Sequence, residues 1–369
     1  MNRQLSLKIR FLTFISIALL GFVHGYNLTN PYLTPYATVE HDPLTITTFI
    51  QYFFANGFLR FRIPILFLIS GYLYALYDYK PYWQRTKHRF VTLLVPYFIW
   101  SAIGLLITFL LQQFPYTAHI VASAAIDQMG DNRPYSEIGW HGIIIRWAFA
   151  PISYQLWFIY VLFVYNVLYP LFRLMVIRFA WPWFILTGFL WATFFNIGFM
   201  EGQGLFFFSI GIWLQKRLIS IDKEPKWFSL GLCWIFFIGV CCVKTFIAFE
   251  FEPGNRATFI TLSILYQLTV VSGILAIWFG VDKLAQWWMQ RPWLKQSANQ
   301  AFFMYGLHVP LLVYIMTMVL QLLQGWALAR LIAYILVPAV VMIVCISIGN
   351  LLRRIAPAIY NVITGGRGV

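Results

Sequence analysis

Charged side chains are scarce in this sequence. Lys, Arg, Asp and Glu together make up 10% of its 369 residues, whereas hydrophobic residues make up 61%. Soluble globular domains carry about 25% charged residues, so this composition excludes an ordinary water-soluble protein. We therefore predict an integral membrane protein.

Long polar stretches are also absent, because apolar runs follow one another along nearly the whole chain. Each is close to the roughly 20 residues that a helix needs to cross a bilayer. We predict an all-α polytopic transmembrane helix bundle whose ten spans cover 7–26, 58–78, 90–113, 154–172, 183–199, 203–215, 227–247, 260–281, 300–321 and 329–352. The first span has full length, and the segment after it lacks the small-residue pattern of a signal-peptide cleavage site, so we expect it to be retained.

The net charge of +14 does not indicate a nucleic-acid partner, because no polar segment is long enough to hold a nucleic-acid-binding module. In the alternating ten-span topology, 19 of the 26 Lys and Arg residues fall on one side of the membrane. Positive loops face the cytoplasm. The sequence thus predicts a multi-pass protein of a bacterial inner or plasma membrane, with the lipid bilayer as a partner and both termini cytoplasmic.

Cysteines are few, and all four lie inside predicted spans, where we expect them to pack as small apolar residues. We predict no disulfide and no metal site. No stretch outside the spans is long enough for a soluble domain, so residues 1–369 are expected to form one transmembrane domain without a fused soluble domain. The absence of internal repeats and of inverted pairs of broken helices disfavours a secondary transporter.

Two arginines interrupt the apolar stretch FLRFRIPILFLISGY, residues 58–72. Gly57 is expected to end a short interfacial or re-entrant helix at 47–57, so that a new span begins just before Arg60 and Arg62. Both arginines would then lie at the outer membrane boundary. A second surface-lying or re-entrant piece is expected within the external connection at 114–153.

His24 ends the first span at the same predicted depth as these arginines. A histidine there can serve as a general base towards a hydroxyl, and a nearby arginine can hold an anionic or polar substrate group. The alternative is structural: Arg60 and Arg62 extend their charged ends to the interface, and His24 caps its helix. The residues alone leave both interpretations open.

Two further motifs carry polar groups. The basic segment WQRTKHR, residues 83–89, either sets topology and touches anionic lipid headgroups or binds a phosphorylated cytoplasmic cofactor. In AFFMYGLHVPLL, Tyr305 and His308 share a helix face, and Pro310 frees a backbone carbonyl beside them. This is a candidate polar site, or else a histidine that is hydrogen-bonded to a neighbouring helix.

Taken together, these segments resemble the membrane acyltransferase 3 family, which transfers acyl groups from coenzyme A to carbohydrates. The resemblance rests on five segments in family order, spread over residues 8–312: IRFLTFISIALLGFVHGY, FRIPILFLISGYL, WQRTKHRFVTLLVPYFIW, QLWFIYVLFVYNVLYP and AFFMYGLHVPLL.

The resemblance implies a site whose residues lie in these segments. His24 would be catalytic, Arg85 and Arg89 would bind the phosphates of the cofactor with Lys87 beside them, and Arg62 would stabilise the oxyanion or position the sugar. The candidates for substrate binding or for lining the route between the membrane faces are Arg60, Phe67, Ser70, Gly71, Trp157, Tyr305 and His308.

One position departs from the family pattern. The family places a basic residue with ten residues between it and the histidine, whereas Thr13 stands there in this sequence and Arg10 is the nearest upstream base. Arg10 is therefore retained as a cofactor-binding candidate with a shifted spacing, and Arg60 or Arg62 is the alternative for its task.

The resemblance implies acyl transfer from a cytoplasmic acyl-CoA to a hydroxyl of an extracytoplasmic or lipid-linked glycan, with no metal. Acetyl-CoA is the expected donor. Because FRIPILFLISGY also resembles the subgroup that succinylates periplasmic glucans, succinyl-CoA is the alternative donor. Glycan-assembly or export proteins are the expected protein partners. Two rival functions are a transporter or flippase for a lipid-linked saccharide and an inactive scaffold for glycan export.

Overall fold

Helices form the regular structure of the chain. The computed structural model describes residues 3–29, 34–131, 133–222, 224–252 and 254–367. Over these ranges there is no β-strand beyond one isolated bridge between Asn196 and Glu201. In lipid a backbone must satisfy its own polar groups, and a helix does so within one segment. The all-α prediction is confirmed.

Nineteen α-helices lie in the described ranges, numbered here along the chain. They are α1 (Arg3–Ala18), α2 (Leu20–His24), α3 (Ile46–Tyr52), α4 (Arg62–Leu76), α5 (Tyr82–Arg89), α6 (Val95–Leu111), α7 (Pro115–Ala124), α8 (Trp140–Ala148), α9 (Trp157–Val167), α10 (Tyr169–Arg178), α11 (Ala180–Ala192), α12 (Gly202–Lys216), α13 (Leu230–Glu250), α14 (Arg256–Gly280), α15 (Asp282–Gln290), α16 (Pro292–Asn299), α17 (Ala301–Leu322), α18 (Ala329–Ile355) and α19 (Pro357–Ile363).

The helices belong to two compact units. The first unit comprises Met1–Pro81 and Tyr165–Ala298, and the second comprises Tyr82–Val164 and Asn299–Val369. The single transmembrane domain expected from the sequence stays a prediction.

Seven helices of the described chain are long and apolar enough to cross a membrane, and α9 with α10 make an eighth if this pair, bent by 65°, is one span. The chain is thus a multi-pass membrane protein. The count of ten is not confirmed, because two of the expected spans correspond to α11 and α12, which have only 13 and 15 residues. At about 1.5 Å per residue, helices of this length fall short of a hydrocarbon core about 30 Å thick. The cytoplasmic location of the termini stays a prediction.

Residues 46–76 form one continuous helix of 31 residues, so the separate interfacial helix predicted at 47–57 is wrong. The backbone changes from α-helix to π-helix at Phe53–Gly57 and to 3-10 helix at Phe58–Phe61, and then returns to α-helix. Gly57 does not end the helix; it lets α13 approach, since a Cβ atom at this position would lie 3.3 Å from Cβ of Cys241. Arg60 and Arg62 consequently lie near the middle of a long helix and not at its outer end.

Helices α4 and α12 of the first unit cross at very close range. A Cβ atom on Gly71 would overlap the carbonyl oxygen of Phe208, and one on Gly211 would overlap the carbonyl oxygen of Leu68. Small residues let the backbones of membrane helices approach in this way, and close packing then holds the helices together. The two glycines therefore define the crossing.

Asp78 collects three polar partners just after α4. Its carboxylate accepts hydrogen bonds from the Tyr169 hydroxyl at 2.7 Å, from Nζ of Lys216 at 2.7 Å and from Nε of Arg173 at 3.0 Å. Burial raises the pKa of Asp78, but the bonds from Lys216 and Tyr169 outweigh this effect and hold it below its ordinary value of 3.8. A carboxyl with a lowered pKa stabilises the fold above its unfolded-state pKa, and this contribution is lost as the pH falls through the folded-state value.

Replacing Asp78 by Asn should lower the free energy of unfolding at pH 7 by about 1.5–3 kcal/mol, the range for hydrogen bonds to a charged group. Thermal unfolding of purified protein in detergent measures the change. The difference from wild type should narrow below about pH 4, where Asp78 of the unfolded wild-type chain begins to take up a proton while the folded protein still holds it ionised. Replacing the exposed Glu224 by Gln is the control and should change little. A difference that is constant with pH would contradict the assignment.

The 114–153 connection in the second unit is more ordered than the expected external loop. It contains helices α7 and α8, and Arg146 of α8 is buried with only 3% of its surface exposed. Nε of Arg146 donates to Asp127 at 2.6 Å, and Arg133 pairs with Asp131 at 2.8 Å. The hydrogen bonds from Arg133 lower the pKa of Asp131 to about 2. This connection is held together by its own ion pairs.

Candidate functional site

His24 ends the first membrane-spanning helix and is half-buried. The chain directly after it is fixed to α3. The backbone N–H of Asn27 donates to Oε1 of Gln51 at 3.0 Å, and Nε2 of Gln51 donates to Oδ1 of Asn27 at 2.8 Å. Tyr26 packs with Tyr52 in one apolar cluster. These contacts hold His24 beside the long helix that carries the two arginines.

The side chains of Arg60 and Arg62 lie in different environments. Nη2 of Arg60 donates to Oδ1 of Asn56 at 2.5 Å, and its guanidinium lies 6.0 Å from the ring centroid of Tyr266. Arg62 is only 3% exposed and donates from Nε to the carbonyl of Leu59 at 2.5 Å. Neither contact lies at the end of the helix, so the structure does not support the alternative in which both charged ends extend to the membrane surface.

A cationic cluster surrounds Arg60, and sequence reasoning missed most of it. We define the cationic cluster as Tyr52, Asn56, Arg60, Lys244 and Tyr266. Lys244 of α13 is completely buried, and its Nζ donates to the backbone carbonyl of Asn56. A single lysine inside the otherwise apolar run of α13 is a sequence signal for a polar site. It does not identify the other members of the cluster, because they are distant in sequence.

Of the three residues expected to line a route between the membrane faces, Phe67 and Gly71 contribute to helix packing, and the route itself stays a prediction. Phe67 is fully buried, with its ring 5.5 Å from that of Tyr165. Gly71 lies at the crossing of α4 with α12, and Ser70 beside it is half-buried. Phe67 and Gly71 thus belong to the interior of the first unit.

Arg10 and His24 do not come together. They are 14 residues apart on the first helix, which corresponds to about 21 Å along its axis, and Arg10 is exposed. The buried cation of this helix is Lys8, which pairs with Asp282 at 2.8 Å and faces the ring of Trp278 at 5.2 Å. Arg10 stays a cofactor-binding prediction, but it is not a direct partner of His24.

The basic segment at 83–89 forms the start of a 30-residue helix in the second unit. Arg85 and Arg89 are half-buried and lie on one face, because they are four residues apart. Lys87 is exposed and two residues from each of them, which turns it towards another side of the helix. The pair Arg85 and Arg89 can thus act on one ligand.

Arg367 adds a third cation near Arg89 and is not among the site residues predicted from the sequence. Its Nη1 donates to the carbonyl of Thr92 at 2.7 Å, and its guanidinium lies 4.3 Å from the ring centroid of Phe302. Burial, followed by the nearby charge of Arg89, lowers the pKa of Arg367 to about 9. This part of the second unit therefore concentrates positive charge.

Tyr305 and His308 lie inside the second unit, where the helical backbone of α17 is interrupted at Val309. The His308 ring is fully buried, with Nδ1 3.0 Å from the carbonyl oxygens of Met304 and Tyr305. These contacts with its own helix favour a structural contribution from His308 over a general base.

The side chain of Gln155 donates hydrogen bonds to backbone carbonyls near the interruption of α17 at Val309. Its Nε2 donates to the carbonyl of Tyr305 at 3.1 Å and to that of Gly306 at 3.3 Å, the carbonyl freed by Pro310. The Tyr305 hydroxyl in turn donates to the backbone carbonyl of Gln155. Trp157, two residues further on, is 37% exposed and does not line this polar interior.

The predicted site residues divide between the two units. Those in the first unit are Arg10, His24, Arg60, Arg62, Phe67, Ser70 and Gly71; those in the second are Arg85, Lys87, Arg89, Trp157, Tyr305 and His308. In the first unit the structure places His24, at the end of the first helix, beside the long helix that carries Arg60. In the second it brings together Arg85 and Arg89.

Comparisons with known proteins identify the family. The profile described as an acyltransferase domain, that of the acyltransferase 3 family, matches residues 32–350. The chain is also similar to the succinoglycan biosynthesis protein ExoH of Rhizobium meliloti (strain 1021), with 23% identity over 373 residues that cover 100% of this chain and 94% of the relative. The family match begins after His24, whereas the alignment with the relative includes it. No solved structure matches the chain.

The profile covers most of the chain and includes the long arginine-bearing helix and the basic segment described above. The chain therefore belongs to the acyltransferase 3 family and is a multi-pass membrane O-acyltransferase.

Proposed function

We propose that this enzyme transfers an acyl group from cytoplasmic acyl-CoA to a hydroxyl of an extracytoplasmic or lipid-linked glycan. The observation that carries the proposal is the family match over residues 32–350, combined with a histidine held beside a long arginine-bearing helix. The name of the relative, a succinoglycan biosynthesis protein, supports a glycan as the acceptor. Acetyl-CoA is the expected donor, and succinyl-CoA is the alternative.

His24 performs the proton transfer in this proposal. A ring nitrogen of His24 removes the proton from the acceptor hydroxyl while the hydroxyl oxygen attacks the thioester carbonyl. The resulting oxyanion collapses, the carbon–sulfur bond breaks, and the coenzyme A thiolate takes the proton back from the imidazolium. A buried cation stabilises the oxyanion in a site from which water is excluded, and Arg62 is the candidate for this contribution.

Arg85 and Arg89 hold the phosphates of the donor. Guanidinium groups bind phosphate through charge-assisted, often bidentate hydrogen bonds, and these two lie on one face of α5. Arg367 adds a third cation close to Arg89. Lys87 is directed elsewhere, so it provides a matched control for charge.

Replacing Arg85 or Arg89 by Ala should raise KM for acyl-CoA about tenfold each and leave kcat nearly unchanged, because each loses about one charge-assisted bond. Steady-state kinetics on membranes with equal amounts of protein measure this effect. Lys87→Ala removes the same charge from the same segment and should raise KM much less. Equal effects of all three variants would mean that only the net charge of the segment matters.

The proposed function is tested by following radiolabel from acyl-labelled acetyl-CoA or succinyl-CoA into the glycan fraction. Membranes that contain the protein are compared with membranes that lack it, with acceptor glycan supplied to both. Label in the glycan that requires the protein supports the proposal and identifies the donor. Absence of label from either donor would contradict it and would favour transport of a lipid-linked saccharide or a scaffold.

A further inference from the structure

Lys244 is a buried cation that the proposed transfer chemistry does not use. It lies within α13, one of the membrane-spanning helices, and none of its surface is exposed. In the described part of the chain it forms no ion pair with a carboxylate. Its Nζ instead donates to the carbonyl of Asn56 and lies 5.4 Å from the ring centroid of Tyr52 and 5.5 Å from that of Tyr266.

Arg60 brings a second cation to the same groups. Both cations bond to Asn56, Arg60 through the side-chain oxygen and Lys244 through the backbone oxygen. Both also face the ring of Tyr266. Two like charges repel each other, and removing an ammonium group from water is unfavourable unless an opposite charge compensates it. Aromatic faces and one carbonyl offset only part of this cost.

The cationic cluster is braced by residues 34–39, so it is a built structure. The Asn56 side-chain amide donates to the carbonyl of Thr34 at 3.4 Å, and the Tyr52 hydroxyl donates to the carbonyl of Ala37 at 3.2 Å. Lys244 is enclosed, whereas Arg60 is only half-buried. A small anion would therefore approach from the side of Arg60.

The cluster lies in the same unit as His24 and is connected to the chain directly after it. Tyr26, two residues beyond His24, packs with Tyr52 and interacts electrostatically with Arg60. A substrate group held by Arg60 and Lys244 would thus be part of a molecule near His24.

We propose that Arg60 and Lys244 bind a carboxylate of the substrate. The carboxylate belongs either to the free end of a dicarboxylic acyl group or to an acidic substituent of the glycan. A carboxylate suits this site better than a phosphate, because it is a smaller, singly charged group that costs less to transfer into an aromatic environment, and its planar fork matches a guanidinium. The inference rests on the proposed function and specifies the substrate class of that site.

The test compares wild type with Lys244→Met, which keeps the approximate shape of the side chain and removes its charge. Transfer is measured with succinyl-CoA and acetyl-CoA, each on native glycan and on glycan whose carboxyl groups have been reduced. The ratio of kcat/KM for the carboxylate-bearing substrate over its uncharged counterpart should fall at least about tenfold in the variant, the loss expected for one charge-assisted bond. Arg60→Gln should lower the same ratio, and Lys283→Gln, which changes an exposed lysine of the same unit, should not.

The arms of the experiment distinguish the two sources of the carboxylate. A fall in the succinyl-to-acetyl ratio on reduced glycan assigns the site to the acyl group. A fall in the native-to-reduced ratio with acetyl-CoA assigns it to the glycan. Equal losses on every substrate would overturn the proposal, because Lys244 would then only support the structure.

A binding measurement separates this inference from the proposed function. Succinate should raise the thermal unfolding temperature of purified wild-type protein, its uncharged diamide should not, and Lys244→Met should lose the effect. If no donor gives transfer but succinate still stabilises only proteins that retain Lys244, the proposed function fails and the carboxylate site stands. If transfer occurs but selectivity and stabilisation do not depend on Lys244, the site fails and the function stands.

Discussion

Replacing His24 by Ala is expected to abolish acyl transfer while leaving folded protein in the membrane. General acid–base catalysis by a positioned side chain contributes about 10²–10⁴-fold to the rate, so transfer should fall by at least about a hundredfold. His24 is half-buried at the end of its helix and is not part of a tightly packed core, so the fold should tolerate the smaller side chain. The measurement is kcat/KM for label transfer, normalised to the amount of protein.

Two variants sharpen this result. His24→Gln keeps a polar side chain of similar length but cannot exchange a proton near neutral pH, so it should be as inactive as His24→Ala. His41→Ala changes an exposed histidine of the same unit and should retain full activity. Normal transfer by His24→Ala would exclude His24 as the general base and as an acyl carrier.

The second large effect is expected on folding, at the crossing of α4 with α12. Gly71→Ala or Gly211→Ala puts a methyl group onto a backbone carbonyl of the facing helix. A backbone atom cannot move aside as the end of a flexible side chain can, so the helices must separate. Overpacking typically costs about 1–3 kcal/mol, and we expect about 3 kcal/mol or more here because the obstacle is backbone.

The matched control is Gly239→Ala on α13, another membrane-spanning helix. A Cβ atom at Gly239 meets no atom within 4 Å. Alanine also favours a helix over glycine by about 1 kcal/mol, so this variant should be neutral or slightly more stable. The amount of monodisperse protein after extraction, together with its thermal unfolding temperature, measures all three variants. If Gly71→Ala and Gly211→Ala behave like Gly239→Ala, the close crossing is not present in the membrane.

The features that could be predicted from sequence are those that depend on neighbouring residues in the chain. The first helix with His24 at its end, and the pair Arg85 and Arg89 on one face, follow from apolar length and helical spacing. The number of spans does not, because α11 and α12 are apolar but short, and hydropathy does not define where a helix ends.

The failures concern positions whose environment is made by distant residues. Glycine often ends a helix, but Gly57 continues one because α13 packs closely against it. The close approach of Gly71 to Phe208 is likewise not predictable, because Phe208 is far away in sequence, and the route expected at Gly71 stays a prediction. The environment of Lys244 is not predictable for the same reason, since its partners Asn56 and Tyr266 are on other helices.

In the proposed reaction an acyl group is separated from coenzyme A and reaches the glycan through this protein. The experiment uses purified protein in sealed vesicles that enclose the glycan. Acyl-CoA, labelled separately in its acyl and coenzyme A parts, is supplied outside, to the face of the protein that is predicted to be cytoplasmic. We predict that acyl label accumulates on the enclosed glycan while the coenzyme A label stays outside. In His24→Ala vesicles both labels should stay outside, and the glycan should gain no acyl label. Vesicles with wild-type protein whose glycan gains no acyl label would contradict the account.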